Sequence, residues 1–190
     1  MCCSLQCRSE RYALMSTEGE HWFALKIFYS RTMKLKAELE AAGVTTYVAM
    51  TTVERVRRGK KVLEPKPLIP SLLFLRCDEA FLRGFKWRHN SEFMYYEDLA
   101  TRRPAPIDEV QMRSFIILTS ADRGTRVQYL GESVPDFKRG ERVRVTGGLY
   151  EGAEGYIKKV RSDRKLIVEI RGVAVVAVSY IEPQYLEKLT

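Results

Sequence analysis

The second half of the chain is made of short apolar runs that are separated by glycines and polar turns. Between residues 140 and 181 these runs are rich in valine, isoleucine and tyrosine, and no helical spacing lies between them. Short strands at such close spacing are typical of small barrels that contain only β-structure. The sequence therefore predicts a small all-β barrel in residues 136–190.

The first half alternates between strand-like and helix-like segments. Strands are predicted at residues 21–29, 44–56, 60–63, 71–76 and 93–96, and helices at residues 33–42, 78–87 and 107–118. Gly43 supplies a stop for the first helix, and Pro65, Pro67 and Pro70 are expected to break regular strand pairing. The resulting order, β-α-β-β-α-β with an extra helix, predicts an α+β sandwich of one sheet with helices packed on it.

These patterns divide the chain into four parts. Residues 1–19 are expected to be a flexible N-terminal segment, and residues 20–119 form the α+β domain. Residues 120–135 are interpreted as a linker that contains one short strand at residues 127–130, because turn residues replace the regular pattern there. Residues 136–190 form the barrel domain.

The composition favours a cytoplasmic protein that has no membrane partner. Hydrophobic residues make up 45% of the chain and charged residues 29%, which is a globular balance. No run of about 18 apolar residues exists to span a bilayer. The first residues lack the long apolar centre of a secretory signal. Cys2, Cys3 and Cys7 crowd into this segment, and we interpret them as reduced thiols.

The charge balance points to a polyanionic partner. Lysine and arginine total 32 against 24 acidic residues, a formal net charge of +8 that is spread over both halves. Such an excess attracts nucleic acid, although many basic domains carry only solvated surface charge.

Enzyme signatures are mostly absent from the sequence. It contains no phosphate-binding glycine loop, no zinc-protease helix motif and no nucleophile elbow. Only His21 and His89 are available as histidine bases, and neither lies in a recognisable catalytic setting. We expect a protein that is not an enzyme and needs no cofactor or metal. An enzyme that uses the region of Cys77 or His89 stays open as an alternative.

The glycine spacing of residues 140–155 resembles the KOW motif of transcription elongation factors and several ribosomal proteins. In the first half, residues 21–25, 57–60, 67–75 and 106–107 resemble the amino-terminal (NGN) domain of NusG-type factors, in order and at similar spacing. This resemblance implies an NGN domain of βαββαβ type followed by an SH3-like KOW barrel. It also implies a transcription elongation or antitermination factor that binds RNA polymerase.

Within that family the sequence looks most similar to the specialised RfaH and UpxY subgroup. Residues 111–116 and 177–181 carry this finer resemblance. It implies suppression of pausing or termination at specific operons, such as polysaccharide loci. The barrel would recruit a ribosomal protein or a termination factor. The alternative is a ribosome-associated RNA-binding protein, since KOW barrels occur in ribosomal proteins too.

The polymerase-binding residues that the resemblance implies form an apolar depression on the first domain. The matching positions are Leu68, Ile69, Leu72 and Phe74, with Phe28 as a neighbour. A proline-bounded apolar run also offers more surface than one edge of a small sheet needs, and exposed apolar patches mark interfaces. The competing interpretation is that these side chains belong to the core, as strand alternation requires for half of them.

Two basic groups are candidates for nucleic-acid contact. The resemblance implies that residues near the first helix start and after the second helix touch non-template DNA or nascent RNA. The matching residues are Arg31, Lys34, Lys86, Arg88 and His89. Arg57 and Arg58 belong to the densest basic run, on a predicted hairpin tip, where phosphate contact would be independent of sequence. For both groups, a solvated basic surface is the alternative.

Overall fold

The computed structural model describes residues 19–57, 59–121, 126–132, 140–160, 163–179 and 181–189. The three helices of these residues are α1 (Thr32–Ala41), α2 (Glu79–Arg88) and α3 (Glu109–Ser120). None of them combines the length and apolar character that crossing a lipid bilayer requires. Cys2, Cys3, Cys7, Arg58, Tyr180 and nearly all of the predicted N-terminal segment lie outside the described residues.

Twelve strands are found in the described residues. The strands of the first half are β1 (His21–Ile27), β2 (Thr45–Tyr47), β3 (Met50–Arg57), β4 (Lys60–Pro67), β5 (Leu72–Cys77) and β6 (Phe93–Tyr95). The strands of the second half are β7 (Val127–Gly131), β8 (Glu141–Val145), β9 (Glu154–Val160), β10 (Asp163–Ile170), β11 (Ala174–Ser179) and β12 (Leu186–Lys188). The fold is therefore a mixed α and β structure in which strands outnumber helices. The predicted helices of the first half are found, but four strands, β2 to β5, lie between α1 and α2, where the order β-α-β-β-α-β has two.

The first sheet is antiparallel and has the strand order β2-β5-β1-β6. Its central strand β5 is buried on both faces, as a continuous apolar run predicts. Leu73 packs with α1 and α2 on one face. Phe74 packs on the other face, where its ring centre lies 5.2 Å from that of Phe115 in α3. The sheet is thus covered by helices on both sides.

Two aspartates fix where the second and third helices begin. The Asp78 carboxylate accepts a hydrogen bond from the Phe81 backbone N–H at 2.7 Å. Asp108 accepts hydrogen bonds from the N–H groups of Val110 and Gln111, both at 3.0 Å. These contacts satisfy backbone donors that have no partner within the helix, so each helix has a defined first turn.

Strands β3 and β4 pair only with each other, as a hairpin outside the first sheet. The expectation that Pro65 and Pro67 end regular pairing is wrong, because β4 continues through both. The Leu68 N–H donates to the Ala49 carbonyl at 2.8 Å, so the backbone nitrogens of alternate residues 65 and 67 face away from β3. Proline has no backbone N–H, and at that outer edge no N–H donor is needed for strand pairing.

The second sheet has the strand order β12-β8-β9-β10-β11-β7. The strand predicted inside the linker is β7, and it pairs with β11. Ile181 was expected to lie in a strand and does not; the last strand is instead β12, which follows a short 3-10 turn and pairs with β8. Since β12 and β7 are the edges of this sheet, closure into an SH3-like barrel stays a prediction.

Two glycines of the KOW-like segment allow close packing in the second half. A Cβ added to Gly155 would collide with the backbone carbonyl oxygen of Ile167 on the neighbouring strand. A Cβ on Gly147 would lie 2.8 Å from the ring of Tyr185. These positions explain why the glycine spacing of this segment is a structural requirement.

Helix α3 lies between the two sheets. Its Phe115 packs on the first sheet, and its Ser114 Oγ accepts a hydrogen bond from the Glu154 backbone N–H of β9 at 2.9 Å. The Gln111 side-chain oxygen accepts from the Arg171 N–H at 3.4 Å. One hydrophobic cluster contains side chains of the first sheet, α3 and the second sheet. The two halves therefore share a core through α3.

Candidate functional site

The apolar run expected to bind polymerase is largely buried. Ile69, Leu72 and Phe74 are 7%, 4% and 1% exposed and belong to the core cluster that includes α3 and the second sheet. The expectation of an open apolar depression at these three positions is wrong in this arrangement, because strand alternation points Leu72 and Phe74 towards α3. Leu68 and Phe28 are half-buried and keep part of their surface accessible.

An accessible groove of about 290 Å³ lies beside this run. Its walls come from β2, the start of β3, β4 and the end of α3, and the lining residues are Tyr47, Val48, Met50, Thr51, Thr52, Pro65, Thr119 and Ser120. The Tyr47 hydroxyl and the Thr119 hydroxyl lie 2.6 Å apart and fix one wall. Leu68 is joined to this region through the hydrogen bond from its N–H to the Ala49 carbonyl. The groove is an apolar recess next to the predicted site.

Lys86 and His89 serve contacts within the first domain. The Lys86 ammonium donates to the carbonyl of Asn90 at 2.7 Å and to that of Phe93, and burial lowers the pKa of Lys86. The His89 side chain is 16% exposed, with Nε2 3.0 Å from a carboxylate oxygen of Glu38. The prediction that both side chains are free to meet a nucleic acid is therefore corrected. These contacts hold the end of α2 against Phe93 of β6 and Glu38 of α1.

Arg31, Lys34 and Arg88 are exposed. The Arg31 guanidinium lies 3.4 Å from a carboxylate oxygen of Glu92 and 5.9 Å from the ring centre of Tyr29. The Arg88 guanidinium lies 5.9 Å from the ring centre of Phe85, near the end of α2. Of the five predicted residues around these helices, three thus present positive charge to solvent.

The turn between β1 and α1 is strained. Tyr29 and Ser30 have φ angles of 58° and 55°, a left-handed conformation that residues other than glycine seldom adopt. Tyr29 is also 78% exposed. Such backbone outliers concentrate at functional surfaces, and this one lies directly before Arg31. Composition and periodicity carry no signal for it.

The basic hairpin formed by β3 and β4 projects positive charge. Residues 54–66 contain six basic and two acidic side chains. Arg57 lies 2.9 Å from a carboxylate oxygen of Glu64, and Lys61 lies 2.7 Å from Glu54. Because the two acidic residues balance only part of the basic ones, the hairpin keeps a positive excess that attracts phosphate. Arg57 is exposed, as this prediction requires.

The enzyme alternative receives no support from Cys77. Its side chain is buried in the core beneath α1 and α2, and burial raises the pKa of the thiol to about 12. A thiol with such a pKa stays protonated near neutral pH, whereas nucleophilic chemistry needs the thiolate. His89 is likewise held by carboxylates, as described above.

A larger polar cleft of about 650 Å³ separates the start of α3 from β8, β9 and β10. One lining residue is Glu154, whose side chain is 8% exposed. Arg144 donates to one Glu154 oxygen at 2.7 Å, and Arg142 donates to the other at 3.2 Å. Hydrogen bonding and charge from these arginines lower the pKa of Glu154 despite its burial. Sequence reasoning missed this cluster, since only the pairing of β8 with β9 brings the three residues together.

Comparisons with known proteins find a similar protein and a similar solved structure. The NusG protein of Borreliella burgdorferi, a transcription termination/antitermination protein, is 26% identical over 121 residues. That alignment covers 60% of this chain and 62% of the relative, which is less than two thirds of the relative's length. A solved structure described as "Domain interaction in Thermotoga maritima NusG" has a TM-score of 0.44 and 18% identity, with 90% of this chain and 98% of the other covered.

A family model described as "Transcription termination factor nusG" matches residues 20–116, just over half of the 190 residues. This range begins one residue before β1 and ends within α3, so it includes every element of the first sheet. The chain therefore belongs to the NusG family of transcription termination and antitermination factors.

Proposed function

We propose that this chain is an elongation or antitermination factor that binds RNA polymerase in the cytoplasm and suppresses pausing or termination. The observation that carries the proposal is the family match over residues 20–116. The protein works without catalysis and without a cofactor. It stabilises the elongating form of the polymerase by binding that form more tightly than the paused form, which shifts the population between the two.

The polymerase contact is proposed for the accessible rim of the apolar run. Leu68 and the neighbouring groove between β2, β3 and the end of α3 offer apolar surface, with Phe28 at a second half-buried position. Ile69, Leu72 and Phe74 support this rim from within the core. A helical segment of the polymerase clamp fits the proposal, because an apolar groove receives the apolar face of an amphipathic helix.

Nucleic-acid contact is proposed for the exposed cations. Arg31, Lys34 and Arg88 would meet the non-template DNA strand, while Arg57 on the basic hairpin and its sequence neighbour Arg58, which lies outside the described residues, would meet duplex phosphates. Phosphate contacts position a protein on DNA without reading the base sequence. This surface therefore sets the affinity for DNA and its salt dependence.

Two finer assignments follow from the sequence resemblance. Residues 111–116 and 177–181 support a specialised factor of the RfaH or UpxY type, which acts at specific operons such as polysaccharide loci. The second half of the chain is proposed to recruit a ribosomal protein or a termination factor.

The decisive experiment measures polymerase binding and transcript elongation with the full chain. Tagged protein should copurify with RNA polymerase, and purified protein should shorten pauses in a reconstituted elongation assay. Leu68→Asp should weaken polymerase binding at least tenfold, because a charge enters an apolar contact. Leu99→Asp is the matched control, since Leu99 is 84% exposed, lies in a turn and does not line the groove, so this variant should behave as the original chain does.

Recovery of ribosomal subunits without polymerase would reject the proposal in favour of a ribosome-associated RNA-binding protein.

Sequencing of nascent transcripts with and without the protein would separate a general factor from an operon-specific one. A general factor should alter pausing across most genes, whereas a specialised factor should alter few.

A further inference from the structure

The hairpin that β9 and β10 form in the second half of the chain has a strongly basic tip. Residues 158–165 contain five basic side chains and one acidic side chain. Residues 161 and 162, at the turn itself, lie outside the described residues, so the argument uses the strand ends on either side of them. Asp163 can neutralise only one of the five positive charges, so this segment keeps a positive excess.

The register of the hairpin places like charges directly opposite each other. Lys158 of β9 is the partner of Lys165 in β10, and Lys159 is the partner of Arg164. Directly opposite residues of an antiparallel pair share a face of the sheet, with their Cβ atoms about 5 Å apart. Like charges in such positions destabilise the pairing. A bound anion at this tip therefore relieves a repulsion that the sequence builds into the sheet.

The contacts of the two β10 residues leave their charge in place. Lys165 donates from Nζ to the side-chain amide oxygen of Gln128 at 2.7 Å, and that acceptor carries no charge. Arg164 is exposed, and no carboxylate of the described residues forms an ion pair with it. On the neighbouring strand β8, Glu141 faces Ile157, but its carboxylate already lies 2.9 Å from the Lys188 ammonium. The positive charge of the tip is thus available to a partner.

The two ends of these strands differ in charge. Glu154 at the start of β9 already accepts hydrogen bonds from two arginines, and Glu169 lies near the end of β10, so both are far from the tip. The sequences of β7 and β11 contain no acidic residue, and the exposed Arg126 directly precedes β7. The pairing of β10 with β11 and of β11 with β7 puts Arg126 at the same end as Lys165. Since neighbouring strands lie about 4.8 Å apart, the basic end extends about 14 Å across four strands.

This basic end fits a phosphate backbone better than a protein surface. Protein interfaces are anchored by aromatic and apolar side chains that become buried on binding. Among the described residues of the second half, the exposed large apolar side chains are Tyr129 and Leu149, and neither belongs to β9 or β10. A row of lysines and arginines without such an anchor attracts a chain of evenly spaced negative charges.

We propose that the tip of the β9–β10 hairpin binds the phosphate backbone of a nucleic acid. Lys158, Arg164 and Lys165 contact phosphates, and Arg126 extends the positive surface at the edge of the sheet. Binding is electrostatic and independent of base sequence, because phosphates carry no sequence information. The inference goes beyond the proposed function, which assigns nucleic-acid contact to the first half of the chain and a protein partner to the second. RNA and DNA present the same phosphate chemistry, so the test includes both.

The test measures binding of the full chain to two labelled probes, a short single-stranded RNA of mixed sequence and a DNA duplex of the same length. Fluorescence anisotropy gives the affinity between about 50 and 200 mM salt. Arg164→Glu should weaken binding of one or both probes about fivefold or more, because it removes a phosphate contact and adds a repulsion. The slope of log affinity against log salt should become shallower by about one or more.

Arg171→Glu is the matched control. Arg171 is exposed in the turn after the opposite end of β10, so the variant has the same change of net charge in the same half of the chain. The eight residues of β10 span about 27 Å, whereas the Debye length at physiological salt is about 8 Å. The control should therefore bind both probes as the original chain does.

The melting temperature separates a binding role from a structural one. Arg164→Glu replaces a like-charge pair with Lys159 by a pair of opposite charges, so it should maintain or raise the melting temperature while it weakens binding. A variant that weakened binding by damaging the fold would lower both. Lys158→Glu is a second variant that should also weaken binding. In the original chain, excess probe should slow hydrogen exchange at the tip-proximal ends of β9 and β10, which distinguishes this site from cations of the first half.

The inference would be overturned if Arg164→Glu and Lys158→Glu bound both probes with the affinity of the original chain, or if that chain bound neither probe. An equal loss of affinity in Arg171→Glu would also overturn it, because such a loss reports only on net charge. Tighter binding to phosphatidylserine vesicles than to either probe would assign the tip to a membrane surface instead. Preference for RNA or for duplex DNA identifies the source of the phosphates, and either preference supports the inference.

Polymerase binding in the absence of nucleic acid distinguishes this inference from the proposed function. Arg164→Glu should bind polymerase as the original chain does. Loss of that binding would identify the tip as a protein contact and overturn the inference. Failure of the original chain to bind polymerase would instead reject the proposed function, while the two nucleic-acid probes would still decide the role of the tip.

Discussion

Helices α2 and α3 are similar in length and both begin at an aspartate cap, yet they have opposite surroundings. Helix α3 buries Met112, Phe115 and Leu118 and also Ser114 and Thr119, because it lies between two sheets. Helix α2 buries only Leu82 and Phe85 and presents its other face to solvent. The difference shows that α3 joins the two halves of the molecule, whereas α2 is free to carry a surface function.

The largest expected effect comes from shortening the central side chain of α3. Phe115→Ala removes a ring that contacts Phe74 and Tyr47, and the cavity should lower the free energy of unfolding by about 3–5 kcal/mol. Urea denaturation measures the loss. Trp87→Ala in α2 is the control and should change the same quantity by less than about 0.5 kcal/mol, as exposed positions do. Equal losses in the two variants would contradict the contrast between these helices.

A smaller effect should follow removal of the two caps. Asp78→Ala and Asp108→Ala each eliminate side-chain hydrogen bonds to the first turn of a helix, at a cost of about 1 kcal/mol. Hydrogen exchange should separate them. Asp78→Ala should accelerate exchange within α2 alone, because that helix can open locally. Asp108→Ala should accelerate exchange in α3 and in the strands on both sides of it. Confinement of its effect to α3 would show that the halves unfold independently.

The smallest effect concerns pH. The pKa of Glu154 is lowered in the folded protein. Its ionised form therefore stabilises the fold at pH values above 4.5, the ordinary pKa of this group. That contribution is lost as the pH falls through the folded value, when the carboxylate accepts a proton and its bonds to Arg142 and Arg144 weaken. Glu154→Gln should therefore reduce the melting temperature near neutral pH and flatten its decline in acid. Parallel pH profiles for the two proteins would show that the arginine cluster contributes nothing.

The sequence predicted the elements of the first half well because their signals are local. Alternation and helical spacing identified β1, α1, β5, α2, β6 and α3 within a few residues, and Gly43 marked the end of α1. The sequence could not show that Pro65 and Pro67 occupy an unpaired edge, because it does not reveal that β4 pairs with a strand on one side only. The consecutive apolar residues 115–118 give α3 a wider apolar face than a helix that packs on one side only, although Arg113 stays exposed.

The candidate site was predicted less completely, for a physical reason. Residue type places Lys86 and His89 among surface groups, and only tertiary contacts show that they bind Phe93 and Glu38. The roles of Leu72 and Phe74 are likewise ambiguous in the sequence. An apolar strand has the same pattern whether it binds a partner protein or packs on a helix of its own chain. By contrast, the exposure of Trp87 agrees with helical spacing, since that spacing places it opposite the buried Leu82 and Phe85.

The prolines of β4 have a consequence for how the molecule behaves at high concentration. Val56, Val62 and Leu63 are exposed on the hairpin, and a bare strand edge with such side chains invites edge-to-edge aggregation. Pro65 and Pro67 remove two backbone donors from the outer edge of β4, so a strand from another molecule finds no continuous ladder there. The β4 edge of the hairpin can therefore face solvent without pairing with a strand of another molecule, which leaves its arginines and lysines available to contact a partner.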